Sequence, residues 1–193
     1  MPYGYKSAAR PVDVWHWKAT RTDPVNQIDD KYWTSADLKA GDSGRHGDPS
    51  QAGGYIVNIS PDRKHPMFLP DEIPNIRYGA IPKEHAVRYS PDRASRIAPG
   101  TIIPGVVVSA FAGDRGDVRC QSRYHAGRWR LFIRRKLRTG SPYDVQFVPG
   151  RRYWFGCAAF DHTSNRHAYR PVSYTHLRAH ETSLHLVCRL LLE

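Results

Sequence analysis

Two residues in this chain pair a metal-binding donor atom with a loop setting. Met67 lies in the proline-flanked stretch SPDRKHPMFLPDEIP, and His167 lies in FDHTSNRHAYR. A thioether and an imidazole are side chains that hold haem iron axially and tune its potential. Each also has a plainer use, Met as core filler and His as a surface residue. A third feature is VDVWHWKATRTDP, residues 12–24, which sets His16 between Trp15 and Trp17. Core packing, an aromatic platform for nucleic acid and the wall of a cofactor pocket all use such residues.

Catalytic patterns are weak. The chain has no G-x-S-x-G elbow, no H-E-x-x-H and no paired-carboxylate signature. Its three cysteines give neither an even disulfide framework nor a zinc pattern. Cys120 and Cys157 each sit inside a strand pattern and read as small core residues. With no C-x-x-C-H, covalent c-type haem attachment is excluded.

The elements that must position these residues read as strands. Residues 12–19 alternate, so Trp15 and Trp17 share one face with Asp13 while His16 faces away. A second strand is expected over 53–59 and a short one over 106–109. A β-hairpin is expected from 118–124 and 129–137. In that hairpin Trp129, Leu131, Ile133 and Leu137 alternate with Arg128, Arg130, Arg134 and Lys136, giving one buried and one basic face. Residues 153–160 are apolar on both faces and read as a central strand that buries Phe155 and Cys157. Residues 37–51 read as a long loop. The fold class predicted is all-β: an antiparallel two-sheet β-sandwich with long loops and little helix.

A chain of 193 residues suits one domain with a full core. The formal charge of +11 points to an anionic partner: nucleic acid, a membrane surface, an acidic redox partner or a ligand with carboxylates. Most aromatics fall on faces opposite the arginines, which argues against nucleic acid. No apolar run approaches the roughly 18–20 residues of a membrane span, so no integral membrane segment is expected. No apolar leader precedes the first strand.

The last stretch, VSYTHLRAHETSLHLVCRLLLE, resembles translated adapter DNA from transposase-based sequencing libraries. One reading frame of such an adapter gives V-S-Y-T-H-L-R-A-H-E-T, and its downstream part gives L-V-C-R-L-L-L-E. Residues 1–171 are therefore expected to form the domain and 172–193 to be an extraneous, peripheral tail. His176, His180 and His185 are then no metal cluster.

VDVWHWKATRTDPVNQIDDKYW, GDRGDVRCQSRYHAGRWRLFIRRKLRTGSPYDVQF and YWFGCAAFDHTSNRHAY follow one another in the order seen in a known family. Together they resemble the haem-binding domain of the ethylbenzene dehydrogenase family, which includes the γ subunits of ethylbenzene and dimethylsulfide dehydrogenases. The resemblance implies a β-sandwich that binds one b-type haem non-covalently outside the cytoplasm, in the periplasm of a bacterium. It implies electron transfer rather than catalysis, with a cytochrome or molybdoenzyme subunit as redox partner. The γ subunits ligate iron through a loop methionine and a lysine near the end of the domain. Met67 matches the methionine; His167 stands at the lysine position. Trp15 and Trp17 are expected to line the interior against the cofactor, and basic side chains to pair with haem propionates. The competing expectation is a non-enzymatic β-sandwich module that binds a carbohydrate or another small ligand.

Overall fold

The computed structural model describes residues 12–33, 45–73, 76, 79–159, 168–176 and 185–192. The chain starts with β1 (Val12–His16), shorter than the strand expected over 12–19. The Lys18 carbonyl ends it by accepting the N–H groups of Arg21, Thr22 and Asp23. Pro24 then sits in a 3-10 turn, and Asn26 takes a left-handed conformation (φ 54°) that asparagine tolerates better than most residues. The reversal feeds β2 (Asp29–Trp33), which pairs antiparallel with β1 and sets Trp15 opposite Asp30. A third strand, β3 (Arg45–Gly47), pairs with β2.

β4 (Ala52–Val57) and β8 (Val106–Ala112) form a second antiparallel pair, with a register shift at Gly53. A Cβ there would fall 1.7 Å from the Ala110 carbonyl oxygen, and φ is +82°, so only glycine fits. β5 (Phe68–Pro70) pairs with β7 (Ala86–Arg88). β6 (Ile81–Pro82) runs parallel to β8. The single short α-helix among the described residues, α1 (Pro91–Ala94), is capped by the Ser90 hydroxyl. β9 (Arg119–His125) and β10 (Arg128–Lys136) form the expected hairpin. It closes through Ala126 and Gly127, both at positive φ, which matches the right-handed twist of the strands.

β11 (Arg152–Ala159) pairs with β12 (Ala168–His176), and β13 (His185–Leu192) pairs with the free side of β10. The fold is all-β and mostly antiparallel, as the alternation predicts. Among the described residues, hydrogen bonding divides the strands among five small sheets.

Ile28, Val118, Cys120, Leu131 and Ile133 form the core cluster, and Trp15 and Trp17 close over it. The β1–β2 hairpin and the β9–β10 hairpin thus meet face to face. Three expectations need correction. β3 (Arg45–Gly47) falls inside the stretch 37–51 read as a loop. Phe155 is 40% exposed and Cys157 is half-buried. Residues apolar on both faces suggest a central strand, but among the described residues β11 pairs only with β12 in a two-stranded sheet, and Phe155 stays partly exposed.

Candidate functional site

Met67 is half-buried at the end of the loop that feeds β5. The buried side chain of Asn58 fixes that loop. Its Nδ2 donates to the Phe68 and Pro104 carbonyls, and its Oδ1 accepts the Phe68 N–H at 2.8 Å. On the other side the Tyr89 N–H donates to the Met67 carbonyl. His65 stacks flat on Tyr89 beside it, ring centroids 4.2 Å apart. The thioether is therefore carried by an anchored loop with an aromatic wall next to it. His167 lies outside the described residues.

Trp15 and Trp17 come together on the core cluster, as their shared face predicts. Trp17 packs edge-on to Trp129 at 4.8 Å and donates its indole N–H to Asp23. Trp15 meets Phe147 at 6.3 Å, and its indole N–H is buried with no acceptor among the described residues. His16 faces the other way. Burial, then the charges of Lys18 and Arg45, hold its imidazole down at about pKa 4, so it is neutral at pH 7. Burial pushes the Cys120 thiol up to about 12, which leaves it protonated and unreactive.

The outer face of the β9–β10 hairpin is a continuous basic stripe. Arg119, Arg123, Arg128, Arg130, Arg134 and Lys136 are all exposed. The register sets Arg130 opposite Arg123 and Arg134 opposite Arg119. Like charges directly opposite cost stability. Phe132 shares this face and is 46% exposed.

Alternation along β10 also places Arg135 on the inward face, in phase with Leu131 and Ile133. Reading the hairpin as apolar-in and basic-out passes over this residue. Its guanidinium is fully buried between the rings of Trp15 and Phe147, 5.3 and 5.2 Å from their centroids. It donates to Asp13 Oδ2 and to the Val145 carbonyl. Asp144 lies 3.8 Å away.

Around that arginine the two hairpins bury a group of carboxyls: Asp13, Asp30, Asp48, Asp117 and Asp144. Asp30 is fully buried and Asp48 is 3% exposed. Burial first, then neighbouring carboxylates, drives Asp30 far above the usual carboxylate range and Asp48 to about 7. Sequence spacing gives no signal for this cluster, because its members come from five separate segments.

A family model described as Ethylbenzene dehydrogenase matches residues 1–171. The chain belongs to the ethylbenzene dehydrogenase family. No curated protein and no solved structure gave a match. The match stops where the adapter-like stretch begins, so the family's residues and that stretch do not overlap. Among the described residues, no helix is long and apolar enough to cross a membrane. In this family member the Met67 loop has the chemistry to hold a haem from one side: a sulfur donor, a fixed backbone and a flat aromatic pair beside it.

Proposed function

We propose that this domain binds one haem b without covalent attachment and passes single electrons, with Met67 and His167 as axial ligands. The observation that carries the reading is the clamped Met67 loop in a member of the ethylbenzene dehydrogenase family. Bound haem supplies one-electron chemistry at its iron. The chain's own residues supply position. Asn58 and Tyr89 hold the backbone on both sides of Met67, so its sulfur has a fixed origin. Trp15 and Trp17 give the interior an apolar wall that excludes water.

The basic stripe on β9–β10 supports the partner class. Opposed arginines repel each other in the free protein, and an acidic surface relieves that repulsion on docking. The partner is then an acidic redox protein, such as a cytochrome or molybdoenzyme subunit, in the periplasm. The domain transfers electrons and does not itself catalyse.

Optical spectra of reconstituted variants test the ligand pair. The reduced wild type should show sharp α and β bands of six-coordinate low-spin iron and resist CO. Met67→Ala and His167→Ala should each open one axial position and bind CO readily. Wild-type bands that persist unchanged in both variants would overturn the assignment.

A further inference from the structure

We propose that Asp13, Asp30, Asp48, Asp117 and Asp144 form a buried site for one hard divalent cation of the calcium class. The carboxyls come from β1, β2, the segment after β3, the segment before β9, and the loop after β10. Ligand oxygens of Asp13, Asp30 and Asp144 lie within 4.8 Å of one another. That is the span of two oxygens on opposite sides of a Ca2+ ion at about 2.4 Å each. A second trio, Asp114, Asp117 and Asp144, shares Asp144 and meets the same limit.

The second observation is how the oxygens are partnered. Arg135 and the Val145 N–H both bind Asp13 Oδ2, leaving Oδ1 buried with no partner among the described residues. The Lys31 N–H binds Asp30 Oδ1; among the described residues no N–H or hydroxyl reaches the buried Oδ2, and the neighbouring group is the Asp117 carboxyl. Among the described residues no N–H or hydroxyl donor reaches either oxygen of Asp48 or Asp144, or Asp117 Oδ1; the Asp48 and Asp144 carboxyls face one another. Asp48 is 3% exposed and the Asp144 side chain 1%. So Asp13 and Asp30 each have one oxygen fixed by the protein while the other is left for a ligand. That is how outer-shell contacts orient metal ligands.

Charge leads to the same conclusion. Among the described residues Arg135 is ion-paired with two of the five carboxyls, Asp13 and Asp144. Buried carboxylates in such excess are costly unless a cation or protons neutralise them. Several oxygens and no nitrogen or sulfur among the donors select Ca2+ over transition metals. An all-protein oxygen set also suits Ca2+ better than Mg2+, which keeps its waters. Met67 is not among these residues, so the proposal stands or falls apart from haem binding.

The test uses the full chain, stripped with EGTA, dialysed against CaCl2 or MgCl2, and assayed for bound metal by mass spectrometry. Thermal melts are run alongside. About one Ca2+ per chain should bind, with Mg2+ on the order of 100-fold weaker. The melting temperature should rise in CaCl2. Asp30→Asn and Asp144→Asn should each weaken Ca2+ binding by roughly 100-fold. Both variants should melt no lower than the EGTA-treated wild type, because each removes one excess negative charge. A wild type that retains no stoichiometric Ca2+ in millimolar CaCl2 would overturn the proposal and leave the cluster held by protons. Equal Ca2+ binding by the Asp30→Asn, Asp144→Asn double variant would overturn it too.

Discussion

Asp29 and Asp30 are adjacent on β2, both fully buried, and they point into opposite electrostatic surroundings. Successive side chains on a strand face opposite sides. Asp29 therefore meets Lys18, Lys31 and Arg115, while Asp30 meets carboxyls. One turn of the pleat separates a saturated anion from a starved one.

Asp29 sets an acid limit on stability. Burial alone would raise its carboxyl, but hydrogen bonds from Arg115 and Lys18 and the lysine charges outweigh that and hold it at about 2. A carboxyl depressed in the folded state stabilises above its unfolded value of 3.8. That contribution should fade as pH falls from about 4 to about 2. Asp29→Asn should cost roughly 2 kcal/mol at pH 7 after allowing for screening of its partly exposed partners. It should also flatten the pH 4 to 2 limb in urea melts. A variant with the wild-type acid limb would count against this.

Arg135 should be irreplaceable by lysine. Its planar group both binds Asp13 and fills the gap between Trp15 and Phe147. Arg135→Met should cost roughly 3–5 kcal/mol, because it leaves buried carboxylates unpaired. Arg135→Lys should recover only part of that in the same denaturation series.

The two hairpins and β11 should differ sharply in sensitivity. Leu131→Ala empties a buried site and should cost roughly 2–5 kcal/mol. Phe155→Ala removes a side chain that is 40% exposed and should cost under about 1 kcal/mol. Matched costs would mean that β11 is covered.

Truncation after Pro171 tests the reading of residues 172–193 as adapter-derived. The melting temperature should change by no more than about 2 °C, although the cut removes β13, which pairs with β10, and the end of β12, which pairs with β11. Water can satisfy the edge groups that β13 leaves behind. A loss of several degrees would contradict it.

Alternation made the β9–β10 hairpin and the shared face of Trp15 and Trp17 legible in the sequence, and short apolar runs made β4 and β8 legible. β2 was not, because Asp29 and Asp30 are poor strand formers. Only the cations around Asp29 and the hairpin pairing to β1 explain the strand. Arg135 was legible by phase but concealed by residue type, since an arginine in an arginine-rich strand reads as surface. The division into five sheets was not legible, because a period of two says which face is buried and not which strand is the neighbour. The aspartate cluster joins segments far apart in sequence, so no spacing motif could reveal it.

The proposed haem b binding is tested by titrating the purified chain with haemin and recording the visible spectrum. A Soret band should grow and shift from that of free haemin, saturating at about one haem per chain, and that saturation should be lost in the Met67→Ala, His167→Ala double variant. A spectrum that stays that of free haemin throughout would contradict it and favour a binding module for a carbohydrate or another small ligand.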